Sequence, residues 1–203
     1  LLKAHKLHPE FRCYEDALEY IIQERNSQHR KQVVNEKQSA LFKNISKAKL
    51  FRYQEKGVLF AVRAGRCILA DDMGLGKTLQ AIVSTEVLRK QFNISTAIVI
   101  CPTSLKYQCK TEIEKFTGNK NVAVIEGNIL ARKKLYNSNT ADYVIVSYQM
   151  ASNDFIELNK MQADVLILDE AQRIKNWKTK TSAAIKKIKT TYALVLTGTP
   201  FEN

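Results

Sequence analysis

Six short apolar runs alternate with helical stretches from residue 66 onward, and this alternation limits the possible folds more than any other feature of the chain. The runs cover residues 67–70, 96–102, 121–127, 142–148, 164–170 and 192–198. The helical stretches cover residues 77–92, 104–116, 129–136, 149–159 and 180–189. Strands that are apolar on both faces and separated by helices predict an α/β fold, a three-layer sandwich with a mostly parallel sheet in the middle. Ligands of such sheets bind where the strands end, so the chemistry is expected directly after each run.

The N-terminal part of the chain lacks this alternation and is predicted to be helical. A first helix is predicted over residues 11–32, since apolar residues recur there at helical spacing, and its apolar face needs a partner. These apolar residues are Tyr14, Leu18, Ile21 and Ile22. Residues 35–50 are polar and basic, which indicates a linker or a second, poorly anchored helix, and another helix is predicted over residues 52–64. We therefore predict a short helical N-terminal extension, residues 1–45, and one main domain, residues 46–203.

The sequence DDMGLGKT, directly after the first apolar run, is typical of a loop that binds phosphate groups. Its two glycines permit a turn whose backbone N–H groups point at an anion, and the next helix directs its positive end to the same place. Lys77 is expected to reach the β- and γ-phosphates of a nucleotide, and the Thr78 hydroxyl to bind Mg²⁺. The match is incomplete, because the common pattern has a glycine where this chain has Asp71. The residues predicted to bind nucleotide are Met73, Gly74, Leu75, Gly76, Lys77 and Thr78.

The apolar run at residues 164–170 ends in two carboxylates, Asp169 and Glu170. At a strand end, Asp169 can hold Mg²⁺ through water, and Glu170 can orient and deprotonate the water that attacks a phosphate. An Asp-Glu pair between a strand and a helix is common by itself. Its combination with the loop around Lys77 is much rarer, and it predicts a site that hydrolyses a nucleotide.

The net charge of +12 is concentrated in two blocks of the sequence. Residues 25–66 contain 11 basic and 2 acidic residues, and residues 171–203 contain 7 basic and 1 acidic residue. Two basic blocks on one fold can form a stripe that neutralises the phosphates of a nucleic acid. A solvated surface explains the same charge, so charge alone leaves both interpretations open.

Composition also bears on the compartment. No apolar stretch approaches the ~18–20 residues of a membrane span, and the first residues lack the apolar run and cleavage site of a secretory signal. The four cysteines include no CxxC pair, and two of them, Cys67 and Cys101, lie in apolar runs. These features predict a reduced, intracellular protein without a membrane partner, located in the cytoplasm or nucleoid of a prokaryote.

The motifs follow one another in an order that resembles the Swi/Snf family of superfamily-two helicase-like ATPases. DDMGLGKT, ICPTSL, VSYQ, LDEAQRIKN and LTGTPFEN occur in that order, and KLFRYQEKGVLF upstream is similar to the family's glutamine motif. The resemblance covers residues 48–203 and looks most like the prokaryotic members. It implies a RecA-like phosphate-loop domain, the first of two lobes that hold ATP and Mg²⁺ between them and move along double-stranded DNA, with a nucleoprotein complex as a further partner.

The resemblance also implies roles for individual residues. Gln54 falls where the family recognises adenine, since its amide can accept from N6 and donate to N7, and catalytic roles fall to Lys77, Asp169 and Glu170. The residues at or near the family's contacts with the DNA backbone are Thr103, Ser104, Ser147, Tyr148, Lys175 and Asn176. The residues implied to couple the ATP site to the DNA site are Gln172, Thr197, Gly198 and Thr199.

Two departures from the family pattern, Asp72 in the loop and Cys109 in place of a usual tryptophan, are expected not to touch the chemistry. In the family, arginines from the second lobe complete the site, so this chain alone is expected to be a weak ATPase. Three alternatives stay open. The chain could be a lobe of a DEAD/DEAH-type RNA helicase, a regulatory module that binds nucleotide without hydrolysing it, or an unrelated phosphate-loop ATPase.

Overall fold

The computed structural model describes residues 6, 8, 14–43, 45, 47, 49–118, 120–138, 140–174 and 179–198. Within these residues six strands form one sheet in the order β1-β6-β5-β2-β4-β3, and every neighbouring pair is parallel. The strands are β1 (Arg66–Leu69), β2 (Ala97–Cys101), β3 (Val122–Val124), β4 (Tyr143–Ser147), β5 (Val165–Leu168) and β6 (Tyr192–Leu196). Each strand overlaps one of the apolar runs, and the predicted α/β fold with a parallel sheet is confirmed.

Helices cover both faces of this sheet. They are α1 (Glu15–Leu41), α2 (Arg52–Ala64), α3 (Lys77–Phe92), α4 (Lys106–Thr117), α5 (Ile129–Asn137), α6 (Tyr148–Asn153), α7 (Phe155–Lys160) and α8 (Lys180–Ile185). Two 3₁₀ turns, Thr103–Leu105 and Ala171–Ile174, follow β2 and β5. None of the helices within the described ranges is both long enough and apolar enough to cross a lipid bilayer.

The strands divide the interior into two apolar clusters, because successive side chains of a strand point to opposite faces. In β2, Ala97 and Val99 belong to the cluster that also contains buried residues of α1, α2, α3 and α4. Ile98 and Ile100 belong to the cluster formed with α5, α6, α7 and α8. The result is the expected three-layer arrangement, with the sheet buried between two sets of helices.

The first helix differs from its prediction in length and in packing. It was expected over residues 11–32 and followed by a linker or a second helix, but α1 continues without a break to Leu41. The apolar residues expected to pack are exposed or partly exposed instead; they are Tyr14 (76% exposed), Leu18, Ile21 (47%) and Ile22 (41%). The residues of α1 that join the core lie in its C-terminal half and are Val33, Val34 and Leu41. The second half of α1 therefore attaches the helix to the domain.

The stretch predicted as one helix over residues 149–159 is two helices. It is divided at Asp154, whose backbone leaves the helical conformation at φ −110° and ψ 17°. The Asp154 carboxylate accepts two hydrogen bonds from the Arg132 guanidinium of α5, at 2.6 and 2.9 Å. A contact with a distant element thus accompanies the break, and no local sequence pattern indicates it.

Candidate nucleotide-binding site

The parallel sheet places the predicted motifs along one edge, because all strands end on the same side. The phosphate loop follows β1, the acidic pair follows β5, and Thr197 follows β6. In the sheet, β6 lies directly between β1 and β5. The loop around Lys77 and the acids at Asp169 and Glu170 are therefore separated by a single strand.

Thr78 and Asp169 meet across this gap. The Thr78 hydroxyl donates to Oδ2 of Asp169 at 3.5 Å, although the two residues are 91 positions apart in the sequence. Hydroxyl and carboxylate oxygens are the hard ligands that Mg²⁺ prefers. The donor set fits the cation that the sequence implies, with Thr78 and Asp169 as the residues that would hold it.

Lys77 lies at the start of α3 with its ammonium group held by the loop itself. Its Nζ donates to the backbone carbonyls of Asp71 at 2.7 Å and Asp72 at 2.8 Å. Gly76, the residue before the helix, has φ 75° and ψ 38°, a left-handed conformation that glycine adopts without strain. The positive end of a 16-residue helix therefore opens onto the loop, which favours an anion at this position.

Asp169 is held from several sides and is nearly inaccessible to solvent, with 7% of its surface exposed. The backbone N–H of Glu170 donates to Asp169 Oδ1 at 3.0 Å, and the Tyr148 hydroxyl donates to the Asp169 carbonyl at 2.7 Å. Burial raises the pKa of the Asp169 carboxyl above its usual value, and the neighbouring charge of Glu170 raises it further. A cation at this position would relieve both effects, because it stabilises the ionised carboxylate.

Cys109 also contacts Asp169, and here the expectation from the sequence was wrong. The thiol lies 3.7 Å from Asp169 Oδ2 and the side chain is buried, although Cys109 was expected not to touch the chemistry. The helix α4 carries it there from 60 positions earlier in the chain. No local pattern signals this contact, because it depends on how α4 packs against the sheet.

Glu170 is connected to the end of β6 through one side chain. Its backbone has φ 54°, the left-handed region that is uncommon for a residue with a side chain. The Gln172 amide donates to Oε2 of Glu170, and its Oε1 accepts from the Thr197 hydroxyl at 3.1 Å. Two of the residues implied to couple the two sites, Gln172 and Thr197, are thus in contact with each other and with the acid.

Met73 of the phosphate loop contacts the segment that follows β6. A Cβ atom added to Gly198 would lie 2.8 Å from Cγ of Met73, so the methionine side chain covers this glycine closely. Thr199, the fourth residue of the coupling set, lies outside the described residues, as do Lys175 and Asn176 of the DNA-contacting set. Their roles stay predictions.

Gln54 lies beside the loop with both ends of its amide engaged. Its Oε1 accepts from the backbone N–H of Phe51 at 3.0 Å and its Nε2 donates to the Leu75 carbonyl at 3.2 Å. The Tyr53 hydroxyl donates to the same carbonyl at 3.3 Å, and the rings of Phe51 and Tyr53 are stacked. Adenine recognition by this amide, as implied from the sequence, requires that its present partners be exchanged.

The remaining residues of the predicted nucleic-acid set differ in accessibility. Thr103 and Ser104 are exposed at the turn after β2. Ser147 is buried and accepts from the backbone N–H of Met150 at the start of α6. Tyr148 is 9% exposed, and its hydroxyl is directed to Asp169 rather than to solvent. Thr103 and Ser104 are therefore the better placed of the four to meet a phosphate backbone.

A parallel sheet with a phosphate loop after β1 and a carboxylate pair after β5 defines a RecA-like phosphate-loop ATPase domain. Comparison with known proteins is more specific. The chain belongs to the SNF2-related domain family, whose sequence model matches residues 17–203. This confirms the resemblance drawn from the motifs, and it does not favour an RNA helicase of the DEAD/DEAH type or an unrelated ATPase.

Several relatives are similar over most of the chain. The TATA-binding protein-associated factor MOT1 of Saccharomyces cerevisiae is 36% identical over 174 residues, which cover 77% of this chain and 9% of MOT1. The uncharacterized ATP-dependent helicase MG018 of Mycoplasma genitalium is 34% identical over 76% of this chain and 15% of its own length. The chain therefore spans less than a fifth of each of these relatives.

A solved structure gives the same result at the level of the fold. The Sulfolobus solfataricus SWI2/SNF2 ATPase core in complex with dsDNA superimposes with a TM-score of 0.70 at 34% identity. The match covers 78% of this chain and 34% of that core. The described sheet and its helices are therefore those of an SNF2-type ATPase domain.

Proposed function

We propose that this chain is the ATP-binding first lobe of a two-lobed motor that hydrolyses ATP and moves along double-stranded DNA. The contact between Thr78 and Asp169 carries the proposal, because it brings the phosphate loop and the acidic strand end to one point. A domain that only bound phosphate would not need the second of these elements. The SNF2-related membership supports the same assignment.

The residues of the site divide the work of phosphate transfer. Lys77 exchanges its two carbonyl partners for the oxygens of the nucleotide phosphates, and Gln54 turns its amide to adenine. Mg²⁺, held by Thr78 and Asp169, would neutralise charge on the phosphate oxygens. Glu170 orients and deprotonates the attacking water. Gln172 connects Glu170 to Thr197, and we assign it the transmission of changes at the nucleotide to the end of β6.

Double-stranded DNA is the proposed track. The similar Sulfolobus core was solved in complex with dsDNA, and in this chain Thr103 and Ser104 are exposed residues at the carboxyl end of β2. Hydroxyl groups suit phosphate oxygens and fix a position without recognising sequence. The excess of basic residues adds long-range attraction to the DNA backbone.

A second lobe of the longer protein is the proposed partner within the chain. An arginine supplied across such a cleft increases the rate roughly 10³–10⁵-fold in related phosphate-loop enzymes, which corresponds to about 4–7 kcal/mol of transition-state stabilisation. We therefore expect the 203-residue chain to hydrolyse ATP slowly on its own. The full protein is expected to act inside the cell, with a nucleoprotein complex as a further partner.

ATP hydrolysis by the longer protein with both lobes tests this function. Double-stranded DNA should stimulate turnover strongly and RNA should not. Glu170→Gln should lower kcat by about 10²-fold or more, since a general base contributes roughly 10²–10⁴-fold, while ATP binding persists. Glu114→Gln, which neutralises an exposed carboxylate on α4, is the matched control and should leave kcat unchanged.

Three outcomes contradict the proposal in different ways. Stimulation by RNA alone would favour an RNA helicase. Unchanged turnover in Glu170→Gln would favour a regulatory module in which hydrolysis is not the function of this site. Strong DNA-stimulated turnover by the 203-residue chain without a second lobe would refute the role given to the arginines.

A further inference from the structure

Gln80 is a fully buried polar residue next to the phosphate loop, and none of the roles in phosphate transfer falls to it. It lies on α3, one turn after Lys77. Its Nε2 donates to Oδ2 of Asp71 at 2.7 Å. Asp71 is the position where this loop departs from the common glycine, and its backbone carbonyl is one of the two groups that hold the Lys77 ammonium, at 2.7 Å. Gln80 therefore fixes Asp71, the residue whose carbonyl accepts a hydrogen bond from Lys77.

Helix α2 presses on the same amide from the opposite side. A Cβ atom added to Gly57 would lie only 1.8 Å from Oε1 of Gln80, so the amide rests directly against the α2 backbone. Oε1 is buried, and no hydrogen-bond donor reaches it among the described residues. A buried acceptor without a donor is costly. The Gln80 amide therefore keeps its hydrogen bond from Nε2 to Asp71 while its Oε1 stays without a donor.

The direction of the Asp71 side chain matters for the charge balance at Lys77. Asp71 offers its carbonyl to Lys77, while its carboxylate is turned to Gln80. If the carboxylate were released, it could pair directly with the Lys77 ammonium, because the two residues are six positions apart and already in contact through the backbone. Such an ion pair would compete with the phosphate groups for the same cation.

We propose that Gln80 is a positioning residue of the nucleotide site, which holds the Asp71 carboxylate away from Lys77 and keeps this lysine available for phosphate. The inference rests on the proposed function and concerns the same site. It also explains how a loop with an aspartate in place of the first glycine remains open to an anion. Gln80 acts through Asp71 and touches neither the nucleotide nor the reacting water.

Four variants of the 203-residue chain, titrated with a fluorescent ATP analogue and Mg²⁺, test the proposal. Gln80→Leu should weaken binding about tenfold or more, since it frees the carboxylate. Asp71→Asn should cost less, because its amide oxygen still accepts from Gln80. Gln80→Leu combined with Asp71→Asn should recover most of the lost affinity, because no carboxylate remains to compete. Thr85→Val, at a buried site on the same helix, is the control and should bind as the parent does.

The double variant separates positioning from packing. If the affinity of Gln80→Leu with Asp71→Asn stays as low as that of Gln80→Leu, the loss comes from packing and the proposal is overturned. Parental affinity in Gln80→Leu overturns it as well. The unfolding free energy of each variant is measured in urea alongside the titration, so that a folding defect is recognised.

Gly57→Ala decides the question if Gln80→Leu does not fold. Alanine is a better helix former than glycine, and its methyl group would displace the Gln80 amide from Asp71 without altering either residue. Binding should fall and should again recover with Asp71→Asn. The proposed function is judged separately by the parent and by Lys77→Ala. A parent chain that does not bind the analogue refutes that function, whatever the behaviour of Gln80.

Discussion

The hydroxyl group of Tyr148 holds the backbone at the end of β5. It donates to the Asp169 carbonyl at 2.7 Å from a side chain that is 9% exposed. Tyr148→Phe keeps the ring and leaves this carbonyl without the donor, so the unfolding free energy should fall by about 1–3 kcal/mol. Urea denaturation followed by circular dichroism measures the change.

Tyr107→Phe is the matched control for this substitution. Tyr107 also donates its hydroxyl to an acceptor, Oε2 of Glu126 at 2.8 Å, but the side chain is 58% exposed. Water replaces that bond, so the unfolding free energy should change by less than about 0.5 kcal/mol. If the two variants lost equal amounts of unfolding free energy, the Tyr148 hydrogen bond would stabilise the domain no more than an exposed one.

At the same scale, the sequence predicts residues whose role is encoded locally and misses those that arrive through packing. Thr78 and Asp169 could be predicted because each stands in a short motif at the end of an apolar run. The contacts of Gln80 and Cys109 could not be predicted. Gln80 meets Asp71, and Cys109 meets Asp169, because of the way in which α3 and α4 pack. Their contacts became visible only in the structure.

At the scale of elements, predictions were best where one local signal dominates. The bounds of α3 agree with the predicted helix, because glycines precede it and an apolar strand follows. Strand β4 falls within its apolar run, since a strand buried on both faces needs continuous apolar residues. The division of α6 from α7 was missed, because Asp154 takes its partners from α5 and not from its neighbours in sequence.

Asp154 and its partners on α5 form one buried cluster, and this cluster holds the helix in place. The Asp154 carboxylate accepts from Arg132 at 2.6 and 2.9 Å and from the Tyr136 hydroxyl at 3.0 Å, and all three side chains are buried. Asp154→Ala leaves the guanidinium buried without its counter-charge. The unfolding free energy should fall by about 3–5 kcal/mol, as measured by urea denaturation.

Lys133→Ala provides the comparison on the same helix. Its ammonium pairs with Glu157 at 3.9 Å, and its side chain is 54% exposed, so the variant should lose less than about 1 kcal/mol. If Asp154→Ala were as mild as Lys133→Ala, the cluster would not be what fixes α5. Apolar contacts of α5 would then have to hold this helix in place.

At the scale of the whole molecule, the relation between α1 and the rest of the domain was the least predictable feature. The sequence suggested a helical extension over residues 1–45, because a first amphipathic helix is followed by a polar, basic stretch at residues 35–50. In the 27-residue helix α1 the buried residues lie in the second half instead. Arg30 adds a polar attachment there, since its guanidinium donates to the carbonyls of Arg63 and Ala64 at the end of α2.

Truncation tests whether α1 belongs to the folding unit. A chain that begins at residue 46 loses the buried side chains of Val33, Val34 and Leu41, which contribute about 1.5–3 kcal/mol each, and it loses the Arg30 cap of α2. Because whole domains are stable by only about 5–15 kcal/mol, this chain should be largely unfolded or should melt at a much lower temperature. Thermal melts followed by circular dichroism measure the effect.

A chain that begins at residue 24 is the control, because it removes only the first third of α1 and keeps Arg30 and the buried residues. Its melting temperature should stay close to that of the full chain, since the apolar residues that it loses, among them Tyr14 and Ile21, remain largely in contact with water. Equal stability of the chains beginning at residues 24 and 46 would contradict the attachment. It would instead support a boundary near residue 45, with a RecA-like lobe that folds without any part of α1.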